Sequence, residues 1–318
     1  MSATETTRSM SAPGARPKLP NFLIIGAAKA GTTTLAAWLN QHPEIYMTPE
    51  KEPKFFALEG RKLDFAGPGD TLDLSRLINN LPDYERQFEG VRDEKAVGEA
   101  SVWYLCCPEA APRIKHYVPE VKLIAILRDP AERAFSNFAH LVRDNREPEH
   151  DFERALDEEP ARIAANWEPF WQYQQIGFYH RQLTQYYELF AREQIRIYLY
   201  EDLKKPVALL SDIFGFLGVD PGFQPQTSGR HNVSGVPKNR GLHDWLTQPN
   251  WPKSLLKRLL PASLLTRLKR VKLGAINRNL ARQEISAAAH ARLRALYRED
   301  TLRLQDLLGR DLSTWLKA

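Results

Sequence analysis

Between residues 26 and 34 the chain reads Gly-Ala-Ala-Lys-Ala-Gly-Thr-Thr-Thr, with one ammonium at Lys29 between Gly26 and Gly31 and three consecutive hydroxyls at Thr32, Thr33 and Thr34. Small residues let successive backbone N–H groups converge on an anion, and a helix starting at the end of such a loop adds the positive end of its dipole. The chemistry this suits is the holding of a phosphate. A nucleoside-triphosphate loop, G-x-x-x-x-G-K-[ST], keeps the same glycine spacing but puts Lys directly after the second Gly. Here Thr32 occupies that place and the Lys lies three residues upstream. A magnesium-dependent triphosphate site also needs an acidic residue ending a neighbouring strand, and Asp129 is the candidate. Yet Asp129, Pro130 and Glu132 read equally as the N-cap, first and third residues of a helix. With Asp129 as a cap, the loop is a cradle for a phosphate donor handled without a divalent ion.

Such a loop works only where a buried strand delivers it to a helix. Residues 21–26, Asn-Phe-Leu-Ile-Ile-Gly, form a short unbroken apolar run of the kind found in strands covered on both faces. Leu35, Trp38 and Leu39 then fall at helical spacing, and His42-Pro43 ends the pattern. Residues 121–127 give a second buried strand running straight into another helix, and residues 195–203 a third, preceded by a helical pattern over 177–190. Strands alternating with helices predict an α/β domain with a central, mainly parallel sheet flanked by helices, P-loop-like in its first turn. Ligands in such sheets sit beyond the carboxyl ends of the strands, which directs attention to the loops at Gly26 and Arg128. Residues 292–308 carry apolar side chains at Leu293, Leu296, Tyr297, Leu302, Leu304, Leu307 and Leu308 and predict a helix docked on the sheet. Residues 1–20 read as a tail rich in Ser, Thr, Ala and Pro, and residues 21–318 as one domain.

Composition narrows the partners. The 318 residues are 43% hydrophobic and 26% charged, with no run approaching the ~18 apolar residues of a membrane span. The tail lacks the apolar core of a secretory signal, so the expected compartment is the cytoplasm. Cys106 and Cys107 are adjacent and supply neither a disulfide framework nor a four-ligand zinc site. A net charge of +5 suits an anionic ligand without indicating nucleic acid. Residues 253–282 hold nine Lys or Arg, no Asp or Glu, and a run of leucines. A basic amphipathic segment of this kind suits peripheral contact with a membrane surface, an anionic acceptor, or a helical flap with a wet face. The aromatic stretch from Trp167 to Tyr179 fits core packing better than stacking on a sugar.

Taken together, these segments resemble the sulfotransferases that use 3′-phosphoadenosine 5′-phosphosulfate (PAPS), in their bacterial and heparan-sulfate-type branch. Phe-Leu-Ile-Ile-Gly-Ala-Ala-Lys-Ala-Gly-Thr-Thr-Thr-Leu is similar to that family's 5′-phosphosulfate loop, and Leu-Arg-Asp-Pro-Ala-Glu-Arg-Ala-Phe-Ser-Asn-Phe to its 3′-phosphate motif. Lys-Glu-Pro-Lys-Phe-Phe, Gly-Glu-Ala-Ser, Tyr-Leu-Tyr-Glu-Asp-Leu and a closing Leu-Leu-Gly-Arg-Asp-Leu follow in the expected order. The resemblance implies that Lys29, Gly31, Thr32, Thr33 and Thr34 bind the 5′-phosphosulfate, that Arg128 and Ser136 bind the 3′-phosphate, and that a basic late loop contributes Arg230, with Lys238 and Arg240 behind it. It implies a catalytic base at Glu52, with Lys29 stabilising the leaving phosphate. Two departures stand out: Lys54 replaces a His found in some of those enzymes, and Ala100 a Lys. Glu99 is a second carboxylate, read as buried and paired to a loop cation. The implied activity is metal-independent, in-line transfer of a sulfuryl group from PAPS to a hydroxyl or amine of a glycan, lipid or small molecule. A P-loop phosphotransferase (kinase) using ATP and magnesium is the alternative.

Overall fold

A computed structural model describes residues 19–227, 236–237, 280–281 and 284–317. Five strands form its main sheet: β1 (Phe22–Gly26), β2 (Ile45–Met47), β3 (Ala96–Ala100), β4 (Lys122–Leu127) and β5 (Ile195–Leu199). Their order is β2-β3-β1-β4-β5, and every neighbouring pair is parallel. The helices are α1 (Thr32–Leu39), α2 (Phe55–Leu58), α3 (Leu81–Arg86), α4 (Trp103–Cys106), α5 (Ala110–Tyr117), α6 (Pro130–Arg143), α7 (Phe152–Ala164), α8 (Tyr179–Leu189), α9 (Pro206–Leu217) and α10 (Ala287–Leu308). Val236–Pro237 and Leu280–Ala281 pair separately as a short antiparallel ladder.

The unbroken apolar runs are explained by position. β1 sits at the centre of the sheet, so Phe22, Leu23, Ile24 and Ile25 are all fully covered, as are Leu123 to Leu127 of β4. The three strands legible in the sequence are present, though the third, expected over 195–203, ends at Leu199 and gives way to a 3-10 turn over residues 200–204, and the parallel expectation holds throughout this sheet. β2 and β3 are not foreshadowed: β2 has three residues, and Gly98 and Glu99 interrupt the apolar pattern of β3. The predicted C-terminal helix exists and starts earlier, at Ala287; it packs chiefly against α6 and α8, and its Leu304 joins the core built on the sheet. It buries Leu293, Tyr297 and Leu304 while Leu296 and Leu302 stay about two-fifths exposed.

A parallel sheet sends all its strands' carboxyl ends to one edge. At that edge β1 delivers residues 26–31, β3 delivers Glu99 to Ser101, β4 delivers Arg128 and β5 delivers residues 200–204. Trp171, Tyr173 and Tyr179 from the aromatic stretch are buried in the cores on either side of α6 and α8, which settles them as packing residues. Of the tail, residues 1–18 lie outside the described residues, as do Arg230, Lys238, Arg240 and the basic stretch except residues 280–281.

Candidate active site

The loop after β1 makes a tight crossing between strand and helix. Ala27 N–H donates to Ile126 of β4 at 2.7 Å, and Ala30 N–H returns to Ala27 at 3.2 Å. Lys29 adopts φ 64° and Gly31 φ 95°. Glycine is required at position 31 twice over, because a Cβ there would also lie 2.4 Å from Leu203 Cδ1. Thr32 is buried at the start of α1, and Thr33 and Thr34 are partly exposed beside it. Lys29 is partly buried, and burial lowers its ammonium pKa to about 8, with Arg143 and Arg128 adding to the effect and Asp144 and Glu52 opposing it.

Arg128 leaves β4 toward this loop. Its Nη1 donates to the Lys29 carbonyl at 3.4 Å and its Nη2 to Glu132 at 3.2 Å, while the guanidinium lies 4.9 Å from the Tyr200 ring centre. The carbonyl of Arg128 is held in turn by the Tyr179 hydroxyl at 3.0 Å. Asp129 is the N-cap of α6, accepting from Ala131 N–H at 2.9 Å and Glu132 N–H at 3.1 Å, with Pro130 at the first helical position. Ser136 follows about 9 Å along the helix axis at ~1.5 Å per residue, and it is buried rather than facing solvent. A floor runs under this group: Leu203 faces Gly31, Tyr200 faces Arg128, and Asp202 accepts a two-pronged contact from Arg310 at 2.7 and 3.0 Å.

Glu52 approaches from the other side, on a turn with φ 64° at Glu52 and 59° at Lys54. The end of β3 fastens it: Glu52 N–H donates to the Ala100 carbonyl at 3.1 Å and Lys54 N–H to Ser101 Oγ at 3.0 Å. Burial pushes the Glu52 carboxyl up, but Lys51, Lys54 and Lys29 outweigh it and hold the group below its ordinary range. Lys51 contacts it at 2.7 Å. Lys54, where the resemblance expects His in some relatives, lays its ammonium 3.9 Å from the Trp103 ring centre, a contact worth ~0.5–2 kcal/mol.

A family model described as the sulfotransferase family matches residues 20–225, well over half of the chain. The chain belongs to the sulfotransferase family. The crystal structure of a sulfotransferase from Alicyclobacillus acidocaldarius superposes with a TM-score of 0.74 and 35% identity, covering 94% of this chain and 100% of that one. Among curated sequences, the membrane-associated sulfotransferase kil1 of Dictyostelium discoideum is 33% identical over 149 residues, 44% of this chain and 28% of that protein. The bifunctional heparan sulfate N-deacetylase/N-sulfotransferase 1 of Caenorhabditis briggsae is 27% identical over 236 residues, 72% of this chain and 25% of that protein. The chain thus spans only about a quarter of the length of these two curated relatives.

In this sulfotransferase-family chain the structure gathers Lys29, Gly31, Thr32 and Arg128 around one loop and brings Glu52 within electrostatic reach of Lys29. One expectation needs correcting. Glu99 is fully buried, but its partners are the Tyr84 and Tyr104 hydroxyls, not a loop cation, and burial raises its carboxyl to about 7. Sequence reasoning also missed His140, which burial and the neighbouring Lys29 charge bring down to about 3 and so keep neutral, with Arg143 donating to its Nδ1. The signal was available: Ser136, His140 and Arg143 stand at i, i+4 and i+7 on one face of α6. Tyr200 and Leu203 fall in the Tyr-Leu-Tyr-Glu-Asp-Leu segment of the resemblance, but their place beside Arg128 and Gly31 comes only from the fold.

Proposed function

We propose that this chain transfers a sulfuryl group from PAPS to a hydroxyl or amine acceptor. The observation that supports the reading is that the loop after β1 carrying Lys29 and the turn carrying Glu52, fastened to the end of β3, lie near enough for each charge to act on the other. Sulfuryl transfer needs both, since negative charge grows on the departing phosphate while the acceptor loses a proton. Glu52, kept ionised by three lysines, takes that proton. Lys29 and the N–H groups of the loop hold the donor's 5′-phosphosulfate and offset the charge left on it. The 3′-phosphate falls to Arg128, whose exit from β4 aims it at the loop, with Ser136 two turns along α6.

Asp129 caps α6 with one carboxylate oxygen, a structural role that accounts for it without a divalent ion. One of the relatives named above is a heparan sulfate N-deacetylase/N-sulfotransferase, and we take a sugar hydroxyl or amine as the first acceptor to try, with lipids and phenols after it. Thermal unfolding tests the donor. At ~100 times its dissociation constant, 3′-phosphoadenosine 5′-phosphate should add about 2.7 kcal/mol of stability. Stabilisation by ATP plus magnesium alone would instead favour a phosphotransferase. Transfer should persist in excess EDTA, and its loss and recovery with magnesium would overturn the metal-free step.

A further inference from the structure

We propose that Glu99 is a positioning residue for Glu52, acting through the two tyrosines it holds; the assignment rests on Glu52 being the base. Glu99 ends β3 with 0% exposure and receives the Tyr84 hydroxyl at 3.3 Å and the Tyr104 hydroxyl at 2.5 Å on the same oxygen. These tyrosines come from different elements, α3 and α4, and the shared acceptor brings them together. Phe55 stacks on Tyr84 at 4.5 Å, and Phe56 sits edge-on to Tyr84 at 5.1 Å and to Tyr104 at 5.4 Å. Phe55 and Phe56 open α2 directly after the turn that carries Glu52 and Lys54. That turn is tied to the residues immediately following Glu99, Ala100 and Ser101, and its Pro53 carbonyl accepts from Ile78 N–H at 3.1 Å.

Two non-glycine residues with positive φ in three positions are stable only where surrounding contacts fix them. Two of the contacts that fix this turn, Glu52 N–H to Ala100 and Lys54 N–H to Ser101, fall on the residues directly after Glu99, and the rings of Phe55 and Phe56 that follow it pack on the two tyrosines Glu99 holds. The second Glu99 oxygen is buried without a hydrogen bond of good geometry, with the Ser101 hydroxyl the other group acting on the carboxyl, an arrangement that costs stability. An apolar side chain would fill the same volume without that cost, but it would leave the tyrosine pair without its acceptor. Within this site, Glu99 serves to hold the base in place rather than to move a proton to the acceptor.

The test compares Glu99→Gln and Glu99→Leu with the unaltered full chain. Amide hydrogen exchange across residues 50–58 should be ~10-fold or more faster in Glu99→Leu, with β4 and α6 unchanged, because the opening is local. Affinity for 3′-phosphoadenosine 5′-phosphate should stay within about twofold while kcat for PAPS turnover drops ~10–100-fold, the loss expected when a reacting group is misplaced. Glu99→Gln keeps an oxygen for the tyrosines and should recover most of both. Tyr104→Phe, which removes one donor and keeps the ring, should shift exchange and kcat in the same direction and serves if Glu99→Leu does not fold. Unchanged exchange at 50–58, uniformly faster exchange over the whole chain, or normal kcat with a loosened turn would each overturn the assignment. If the unaltered chain turns over no acceptor, the sulfuryl-transfer reading fails and the exchange pattern alone decides this one.

Discussion

The two halves of the site are built differently. On the proposed donor side, the candidate phosphate-binding residues 26–34 run from the end of β1 into the first turn of α1, joined by Arg128 at the end of the adjacent strand. On the acceptor side, Glu52 is placed by Ala100 and Ser101, by Ile78, and by packing on Tyr84 and Tyr104. Both sides hold non-glycine residues at positive φ, Lys29 on one and Glu52 and Lys54 on the other. Each such conformation costs of order 1–3 kcal/mol. The loop offsets it with a strand, a turn and a helix contiguous in sequence, whereas the Glu52 turn depends on segments 25 to 50 residues away. The proposed donor loop is therefore shaped mainly by contiguous sequence, with Arg128 and residues 200–204 added from afar, whereas the Glu52 turn is shaped by tertiary contacts.

The largest effect should separate the halves most cleanly. Glu52→Gln keeps size and most hydrogen bonding but loses the basic carboxylate, and should lower turnover ~10²–10⁴-fold while nucleotide affinity stays near normal. Initial rates paired with a binding titration would check this, and near-normal turnover would place the base elsewhere. Lys29→Ala should impair both measurements, since one ammonium serves binding and the leaving group.

Next in size is Arg128→Ala, which should weaken 3′-phosphoadenosine 5′-phosphate far more than its 3′-hydroxyl analogue. A lost charge-assisted contact of ~1.5–3 kcal/mol corresponds to about 10–150-fold. Calorimetric titration of both nucleotides would show it, and equal weakening would make Arg128 a support of the loop instead.

A smaller effect follows from the lowered Lys29 pKa. Below about pH 8 the free ammonium is charged and ready for phosphate; above it, binding must take up a proton. Affinity for the nucleotide should therefore fall ~10-fold per unit as pH rises beyond 8, following proton linkage. A Lys29→Arg protein, charged throughout, should show a flat profile over the same range. Smallest is Asp129→Ala, which removes the α6 cap and should cost about 1 kcal/mol of stability in denaturant titration. An activity restored only by magnesium in the unaltered protein would give Asp129 a second role.

What the sequence made legible follows the same division. β1, the loop, α1, β4 and the start of α6 could be read because burial on both faces, small residues and a cap each leave a mark within a few positions. Glu52 could be named from the resemblance, but not its conformation, because Lys-Glu-Pro-Lys reads as a solvated turn until β3 lies beside it. Glu99 was legible as buried, yet its partners are tyrosines 15 and 5 residues away on separate helices, and no periodicity links them. His140 was legible and overlooked. Tyr200 and Leu203 lay in a segment the resemblance picked out, but their contacts did not show, since proximity across a sheet has no sequence period.

The clasp between Asp202 and Arg310 bears on the order of events during synthesis. The phosphate loop is complete in sequence within the first 34 residues, and its neighbouring strand within the first 127. Its floor, residues 200–204, is pinned by Arg310, 108 positions after the aspartate that receives it. At a ribosomal pace of ~5–20 residues per second, the loop and its neighbouring strand are made on the order of ten seconds or more before the residue that pins the floor. On the proposed reading, firm retention of a donor nucleotide would wait on Arg310, far from the loop in sequence.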